Sequence, residues 1–334
     1  FVKEYTYQAS ELDSKASCRT ISLEMVKRLL LEELGTYLIS ETEVKDFKLT
    51  KEQVKTYSAG IVGAEIIEDK WDGKTYWLKA KVSADPKDVS KSLKKIKDDQ
   101  FKARELEETR KKAEELVKEV ERLNKQLAKS TNKQPSKKIQ QEYKTAIQGL
   151  NAVEWFKKGV KAFLGNKWEE ATEALTKAIE LKPDWALAYI TRGFSYLNLD
   201  NYHQAIKDYT KAIELKTEDY TEAYALRGLA YGELGNYQQA INDYNKAIKL
   251  KTDDTEMYFG RGVAYHELGK HQQAINDYNK AIELKPDYAE AYYNCGVAYG
   301  KLGNYQQAIK DLKIAARLGF KPAQDALLKM GEKW

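Results

Sequence analysis

Small and apolar residues recur with a fixed period through the second half of the chain. Four units of 34 residues and one of 35 begin at Ala152, Ala186, Thr221, Thr255 and Ala289. Counted from the start of each unit, position 8 is glycine and positions 20 and 27 are alanine. A period of this length is typical of stacked structural units, because each unit buries its apolar face against the next.

Each unit is predicted to fold as two antiparallel helices. The small residues at positions 8 and 20 let the two helices approach closely, and aromatic residues at positions 11, 17 and 24 fill the space around them. Between the helices, "LGN" or "LGK" predicts a helix stop in four units, and the second unit has "LDN" instead. Position 32 is proline in the first and fourth units: Pro183 and Pro286. Proline suits the start of the next unit, where no backbone N–H is needed.

This pattern resembles the tetratricopeptide repeat over residues 152 to about 322. The resemblance implies a right-handed superhelix of helix pairs, with a concave groove that binds a peptide or a helix. The segment "KPAQDALLKM" after the fifth unit is predicted to be a capping helix over the last exposed face.

The resemblance also indicates which residues line the groove, chiefly positions 2, 5, 9 and 12 of each first helix. Positions 5 and 9 are apolar here, and the basic clamp that holds a C-terminal carboxylate is absent, so we expect an amphipathic helix or an extended apolar peptide as partner. Two alternatives are that these side chains fill one another's space, or that a segment of this protein or of its copy occupies the groove. The candidate partner-binding residues are Phe156, Val160, Ile190, Phe194, Leu229, Phe259, Val263, Tyr293 and Val297.

Three arginines share position 7 and invite two interpretations. A ladder formed by Arg192, Arg227 and Arg261 could bind an acidic partner. The structural explanation is that each arginine pairs with an acid at position 23, namely Asp208, Asp243 and Asp277.

Residues 1–88 are predicted to form a small α+β domain. The order is β-α-β-α-β-β-α, with a long helix ending at Gly35, a strand at 36–44 and a hairpin whose turn is Asp72–Gly73. Thr50 and Gln53 form a predicted capping box at the start of the second helix. The layout is similar to that of small domains of bacterial envelope proteins, such as the amino-terminal domain of flagellar assembly proteins. It therefore implies a periplasmic or otherwise exported protein, with a cytoplasmic one as the alternative.

Residues 89–150 are predicted to form a charged helical linker. An apolar seam with coiled-coil spacing is formed by six residues: Leu106, Ala113, Leu116, Val120, Leu123 and Leu127. It predicts a helical hairpin that packs on itself or on the first repeat. The alternatives are a homodimeric coiled coil and a basic arm. Residues 86–149 contain 18 Lys/Arg and 11 Asp/Glu, so the chain's net charge of +5 is concentrated here. The charges alternate in sign without interleaved aromatic residues, which disfavours nucleic acid as a partner.

Composition and motifs do not indicate an enzyme. No run of apolar residues is long enough to span a membrane, and the first residue, Phe1, indicates a processed or truncated form. We expect no catalytic residues, no metal and no cofactor: His203, His266 and His271 all lie in repeats, and Cys18 and Cys295 are the two cysteines. The alternative is an active or ligand-binding site in the amino-terminal hairpin, built on Trp71, Trp77, Glu65 and Glu68.

The predicted fold is therefore mainly α, with five tetratricopeptide repeats and a capping helix after a small α+β domain and a helical linker. The predicted domains are 1–88, 89–150 and 151–334. The predicted function is a non-enzymatic adaptor that binds a protein partner in its apolar groove. The alternative is a self-assembling scaffold of the bacterial envelope, in which case a homodimer or larger oligomer is expected.

A charge in the centre of the predicted groove tests the adaptor hypothesis. We expect Phe194→Asp to abolish partner binding while the helix content measured by circular dichroism stays unchanged, because a carboxylate there must lose its water on binding. An unaltered affinity would contradict the hypothesis.

Overall fold

The computed structural model describes residues 1–10, 12–40, 50, 53–55, 57–58, 62–83, 85, 88–89, 93, 100–128, 137–215 and 221–334. The chain is mainly α-helical and divides into two compact units, Phe1–Thr191 and Arg192–Trp334. The domain boundaries drawn from the sequence remain a prediction.

The first unit begins with a small sheet covered by a helix. Its strands are β1 (Val2–Gln8), β2 (Glu65–Trp71) and β3 (Thr75–Lys81), in the antiparallel order β1-β3-β2. Helix α1 (Lys15–Ser40) packs on β1 and β3. Alternate residues of β3 are buried, as expected for a strand with one face against a helix: Tyr76, Leu78 and Ala80.

Helix α1 is longer than the sequence predicted, and the strand predicted at 36–44 is wrong for residues 36–40. Gly35 lies inside the helix and does not end it. A Cβ at Gly35 would lie 2.6 Å from Cγ of Lys55, so this glycine permits close packing. The buried stripe of α1 continues past it to Leu38. Residues 41–44 fall outside the described residues.

Two other local predictions for this segment are confirmed. Thr50 N–H donates to Oε1 of Gln53 at 2.9 Å and Gln53 N–H donates to Oγ1 of Thr50 at 3.2 Å, which is the predicted capping box. The hairpin also forms, and Gly73 adopts a φ of 93° in its turn. Asp72 lies at the edge of that turn, where its carboxylate accepts from the N–H groups of Lys74 and Thr75.

The charged linker forms a helical hairpin within the first unit. Helix α2 (Gln100–Ala128) packs on α3 (Lys137–Leu164), and a Cβ at Gly149 of α3 would lie 3.0 Å from Leu116 of α2. Five of the six predicted seam residues are buried: Leu106, Ala113, Val120, Leu123 and Leu127. The hairpin prediction is therefore confirmed.

Helix α3 is also the first helix of the first repeat, and an ion cluster fastens α1 to it. Lys157 donates to Glu24 at 2.7 Å, and Lys27 donates to Glu154 at 2.5 Å. Burial opposes ionisation of Glu24, but Lys157 and Lys27 outweigh it and lower the pKa of this carboxyl. Removing one member would leave a buried charge without its partner, so the cluster fixes how α1 sits on α3.

The remaining helices form pairs joined by short turns. In the first unit α3 pairs with α4 (Trp168–Leu181). Helix α5 (Ala186–Asn198) begins in the first unit and continues into the second. The second unit contains α6 (Tyr202–Leu215), α7 (Thr221–Glu233), α8 (Tyr237–Leu250), α9 (Thr255–Glu267), α10 (His271–Leu284), α11 (Ala289–Lys301), α12 (Tyr305–Arg317) and α13 (Lys321–Lys329).

The turns of the third, fourth and fifth repeats and the last helix form as predicted, whereas in the first repeat Asn166 and not Gly165 takes a positive φ, of 56°. Gly235, Gly269 and Gly303 take φ angles of 74°, 73° and 77° between the two helices of their repeats. In the second repeat Asp200 adopts a φ of 54°, a conformation that costs more for a residue with a Cβ. The predicted capping helix is α13, whose Ala323 and Leu327 complete the core of α12.

Close approach within a helix pair predicts opposite effects for two glycines of α11. A Cβ at Gly296 would lie 3.0 Å from the carbonyl oxygen of Ala308 and 3.1 Å from Leu312, whereas Gly300 has only Ala308 at 4.0 Å. We expect Gly296→Ala to lower the free energy of unfolding by about 1–3 kcal/mol through overpacking.

The matched control is Gly300→Ala, which we expect to raise the free energy of unfolding by up to about 1 kcal/mol through helix propensity. Urea denaturation followed by circular dichroism measures both variants. Equal effects would contradict the close-approach role of position 8.

Candidate protein-interaction surface

The first helices of the repeats lie side by side in the second unit. Helix α7 contacts α9, and α9 contacts α11, while each also packs on its own second helix. In α9, Met257 and Ala264 at positions 3 and 10 are buried in a core with α8 of the preceding repeat, whereas Gly262 at position 8 lies against Tyr278 of its own second helix, α10. At positions 5 and 9 of α9, Phe259 and Val263 are half-buried and pack in part on a core formed by α10 and α11.

Side chains at these positions differ in how far they are buried. Leu229 of α7 is 38% exposed, and Phe259 and Val263 of α9 are half-buried. The ring of Phe259 packs at 4.9 Å from Tyr288 and 5.8 Å from Tyr278, centre to centre. Half-buried aromatic and aliphatic side chains of this kind can contact a partner while they stay anchored in the protein.

The same surface continues at both ends of the second unit. Tyr293 and Val297 of α11 are half-buried, and the ring of Tyr293 lies 5.2 Å from that of Phe320. Phe194 in α5 is half-buried as well. Together with Leu229, Phe259 and Val263, these residues define what we call the apolar stripe.

Three of the nine residues predicted for the groove are buried instead. Phe156 is fully buried and stacks on Trp185 with ring centres 4.4 Å apart, and Val160 and Ile190 are also buried. All three lie in the first unit. The proposed surface is therefore narrowed to the six residues of the apolar stripe.

The three arginines at position 7 are paired with aspartates, as the structural explanation predicted. Arg192, Arg227 and Arg261 each donate two hydrogen bonds, of 2.6–2.8 Å, to the aspartate sixteen residues later. The side chains of those aspartates are nearly inaccessible. Such paired, bidentate contacts are strong, and they turn the three cations away from solvent.

The guanidinium groups also connect successive repeats. The remaining nitrogen of Arg227 donates to Thr210 of α6 at 2.9 Å, and that of Arg261 donates to Asn245 of α8 at 2.6 Å. Each arginine thus links the second helix of its own repeat to the second helix of the repeat before it.

In the fifth repeat Cys295 occupies the position of the arginine. Its side chain is buried beside Asn279 at 3.8 Å, and Asp311 accepts a hydrogen bond from Gln307 at 2.8 Å. Burial raises the pKa of the Asp311 carboxyl, and burial with the charge of Asp311 raises the pKa of the Cys295 thiol. A thiol held protonated is a weak nucleophile.

The sites considered for other chemistry have structural partners. The rings of His266 and His271 lie 4.8 Å apart, and burial and the neighbouring His271 lower the pKa of His266. No cluster of three or more metal-ligating side chains occurs among the described residues. In the hairpin, Glu65 pairs with Lys81 at 3.1 Å and Glu68 with Lys70 at 2.9 Å.

None of the helices in the described ranges is long and apolar enough to cross a membrane.

The repeats match known proteins. Family models described as TPR repeat or tetratricopeptide repeat match residues 186–219, 228–269, 264–303 and 289–318. Among solved structures, one of MamA is 30% identical to this chain. The alignment covers 50% of this chain and 96% of the MamA chain, with a TM-score of 0.46. Another is YrrB, described as a TPR protein with an unusual peptide-binding site, at 25% identity, 57% and 95% coverage and a TM-score of 0.47.

A MamA structure from Desulfovibrio magneticus RS-1 is 17% identical, with 51% and 95% coverage and a TM-score of 0.49. No curated protein matches the chain at a significant level. The class of protein is thus a helical-repeat protein. More particularly, the matched segments between residues 186 and 318 are tetratricopeptide repeats.

The fifth repeat offers a test of the arginine–aspartate pair. Asn279 and Asp311 stand sixteen residues on either side of Cys295, as Asn245 and Asp277 do around Arg261. We expect Cys295→Arg to raise the free energy of unfolding at pH 7 by about 1–3 kcal/mol, because the new guanidinium gains charged hydrogen bonds.

This gain depends on pH in a defined direction. The arginine would lower the folded-state pKa of Asp311 from its wild-type value, which burial raises, so the stability gained over the wild type is present while Asp311 is ionised and is lost as pH falls and Asp311 becomes protonated. Urea denaturation at neutral and acidic pH measures it, with Cys295→Ala as the control. A Cys295→Arg protein no more stable than Cys295→Ala at pH 7 would show that Asp311 does not need this partner.

Proposed function

We propose that this chain is a non-enzymatic adaptor whose apolar stripe binds a peptide or helix of a protein partner. The observation that carries the proposal is the exposure of Leu229, which lies 38% open between half-buried neighbours on the first helices. The tetratricopeptide repeats that the family models match support a role in protein interaction. The six residues of the stripe are the proposed contacts.

The geometry of the stripe supports binding more than self-filling. Phe259 is anchored on Tyr278 and Tyr288, and Tyr293 on Phe320, so these rings are fixed before a partner arrives. Fixed aromatic side chains lose little conformational entropy on binding. Tight curvature that let these side chains cover one another would have buried Leu229 as well.

A self-assembling scaffold is the alternative within the same class, with the stripe filled by a second copy. The compartment expected from the sequence rested on the layout of residues 1–88, and the strand predicted within that layout is partly helical. The proposal is therefore confined to the interaction itself.

Substitution of the exposed leucine tests the proposal with little risk to folding. Leu229→Asp places a charge in the stripe, whereas Leu250→Asp places the same charge on second helix α8, where Leu250 is 46% exposed. We expect proteins captured by the wild-type chain and by Leu250→Asp to be lost from Leu229→Asp, since the carboxylate must be desolvated on binding.

Capture from the native extract is read by mass spectrometry, and folding by circular dichroism. Light scattering on the whole chain identifies a second copy as the occupant, if an oligomer is present and Leu229→Asp dissociates it. The proposal would be contradicted if the wild-type chain, Leu229→Asp and Leu250→Asp captured the same proteins and had the same mass in solution.

A further inference from the structure

Acidic residues border the apolar stripe along two of its four first helices. In α9, Glu256, Phe259, Val263 and Glu267 are spaced i, i+3, i+7 and i+11, which places them on one face of the helix. Helix α7 repeats this order with Glu222, Ala225, Leu229 and Glu233. Helix α11 has Glu290, Tyr293, Val297 and Lys301, so its last residue departs from the pattern.

Four carboxylates of this face are open to solvent and have few opposing charges. Glu233, Glu256, Glu267 and Glu290 are exposed. Glu256 accepts a hydrogen bond from Tyr288 at 2.9 Å, and no ion pair to the other three was found among the described residues. Two rows of carboxylates therefore flank the apolar stripe, one at position 2 and one at position 13.

Positive charge near these carboxylates is largely neutralised or directed elsewhere. The guanidinium groups of Arg227 and Arg261, on the same helices, are bound to Asp243 and Asp277. His266 lies beside Glu267, and burial lowers its pKa, which keeps it neutral at pH 7. Exposed lysines on the second helices are Lys207, Lys211, Lys246, Lys249 and Lys310, and on the first helices Lys301 of α11 is exposed near His266.

The spacing of the two rows fits a helix between them. Positions 2 and 13 are eleven residues apart, or about 16 Å along each first helix. A helix with its side chains is about 10–12 Å across, so one lying over positions 5 and 9 reaches both rows with basic side chains. A single extended strand would cover the apolar positions but reach one row at a time.

We propose that the occupant of the apolar stripe is a lysine- or arginine-rich amphipathic helix of a partner protein. Its apolar face lies on Leu229, Phe259, Val263, Tyr293 and Val297, and its basic flanks face the two rows of carboxylates. This inference rests on the proposed function and adds the charge of the partner. Lys301 stands where α7 and α9 have their last glutamate, so the residue of the partner helix that lies near Lys301 is acidic or neutral.

Two synthetic peptides test the sign of the charge. Both are helices of about 18 residues, long enough to cross three neighbouring first helices. They share leucines at i, i+3, i+4 and i+7, and one carries lysine wherever the other carries glutamate. We expect fluorescence anisotropy with the full chain to show at least about tenfold tighter binding of the lysine peptide, weakened by salt.

A charge-matched pair of variants locates the binding. Glu233→Lys with Glu267→Lys reverses the row at position 13, whereas Glu214→Lys with Glu283→Lys makes the same change of net charge on second helices α6 and α10. We expect the first pair to weaken binding of the lysine peptide by about tenfold or more and the second pair to leave its affinity nearly unchanged, because exposed charges act over short distances in salt.

The outcomes separate this inference from the proposed function. Equal weakening by both variant pairs, or no binding of the lysine peptide, would overturn the cationic partner. If both peptides bind equally and Leu229→Asp removes both, the apolar stripe remains an interaction surface and the charge inference is wrong. Circular dichroism of each variant confirms that the helices remain folded.

Discussion

The buried pair of an arginine and an aspartate is the interaction on which the repeat surface depends. It recurs with Arg192, Arg227 and Arg261, and in the last two it reaches the second helix of the preceding repeat. An arginine left half-buried without its carboxylate would be costly, so the pair constrains the rotation of α5, α7 and α9. With the rotation of α7 and α9 constrained, Leu229, Phe259 and Val263 are held at the partly exposed positions of the apolar stripe.

The same pair determines the charge of the exposed face. Each first helix of α7 and α9 has two glutamates and one arginine, which from composition alone is nearly neutral. Because the arginine is bound to an aspartate of the second helix, the outer face retains the glutamates and little else that is charged. A contact that stabilises the fold thereby gives the surface its acidic character.

Features that depend on residues close in sequence could be predicted, and those that depend on distant residues could not. The arginine–aspartate pairs and the capping box follow from fixed spacing. Gly35 was taken as a helix stop because a glycine at a helix end and one at a close contact look alike in sequence. Its contact with Lys55 exists only in the folded chain. Likewise, nothing local to Phe156 predicted that Trp185 would cover it.

The burial of Phe156 also explains why the proposed surface lies in the later repeats. Helix α3 continues from the helical hairpin, and its Glu154 and Lys157 bind Glu24 and Lys27 of α1. The first helix of the first repeat is thus used for packing on both sides, by Trp185 and by α1. A repeat helix can present its outer face to a partner only where no other part of the chain covers it. In the second unit, α7, α9 and α11 carry five of the six residues of the apolar stripe together with carboxylates that border them.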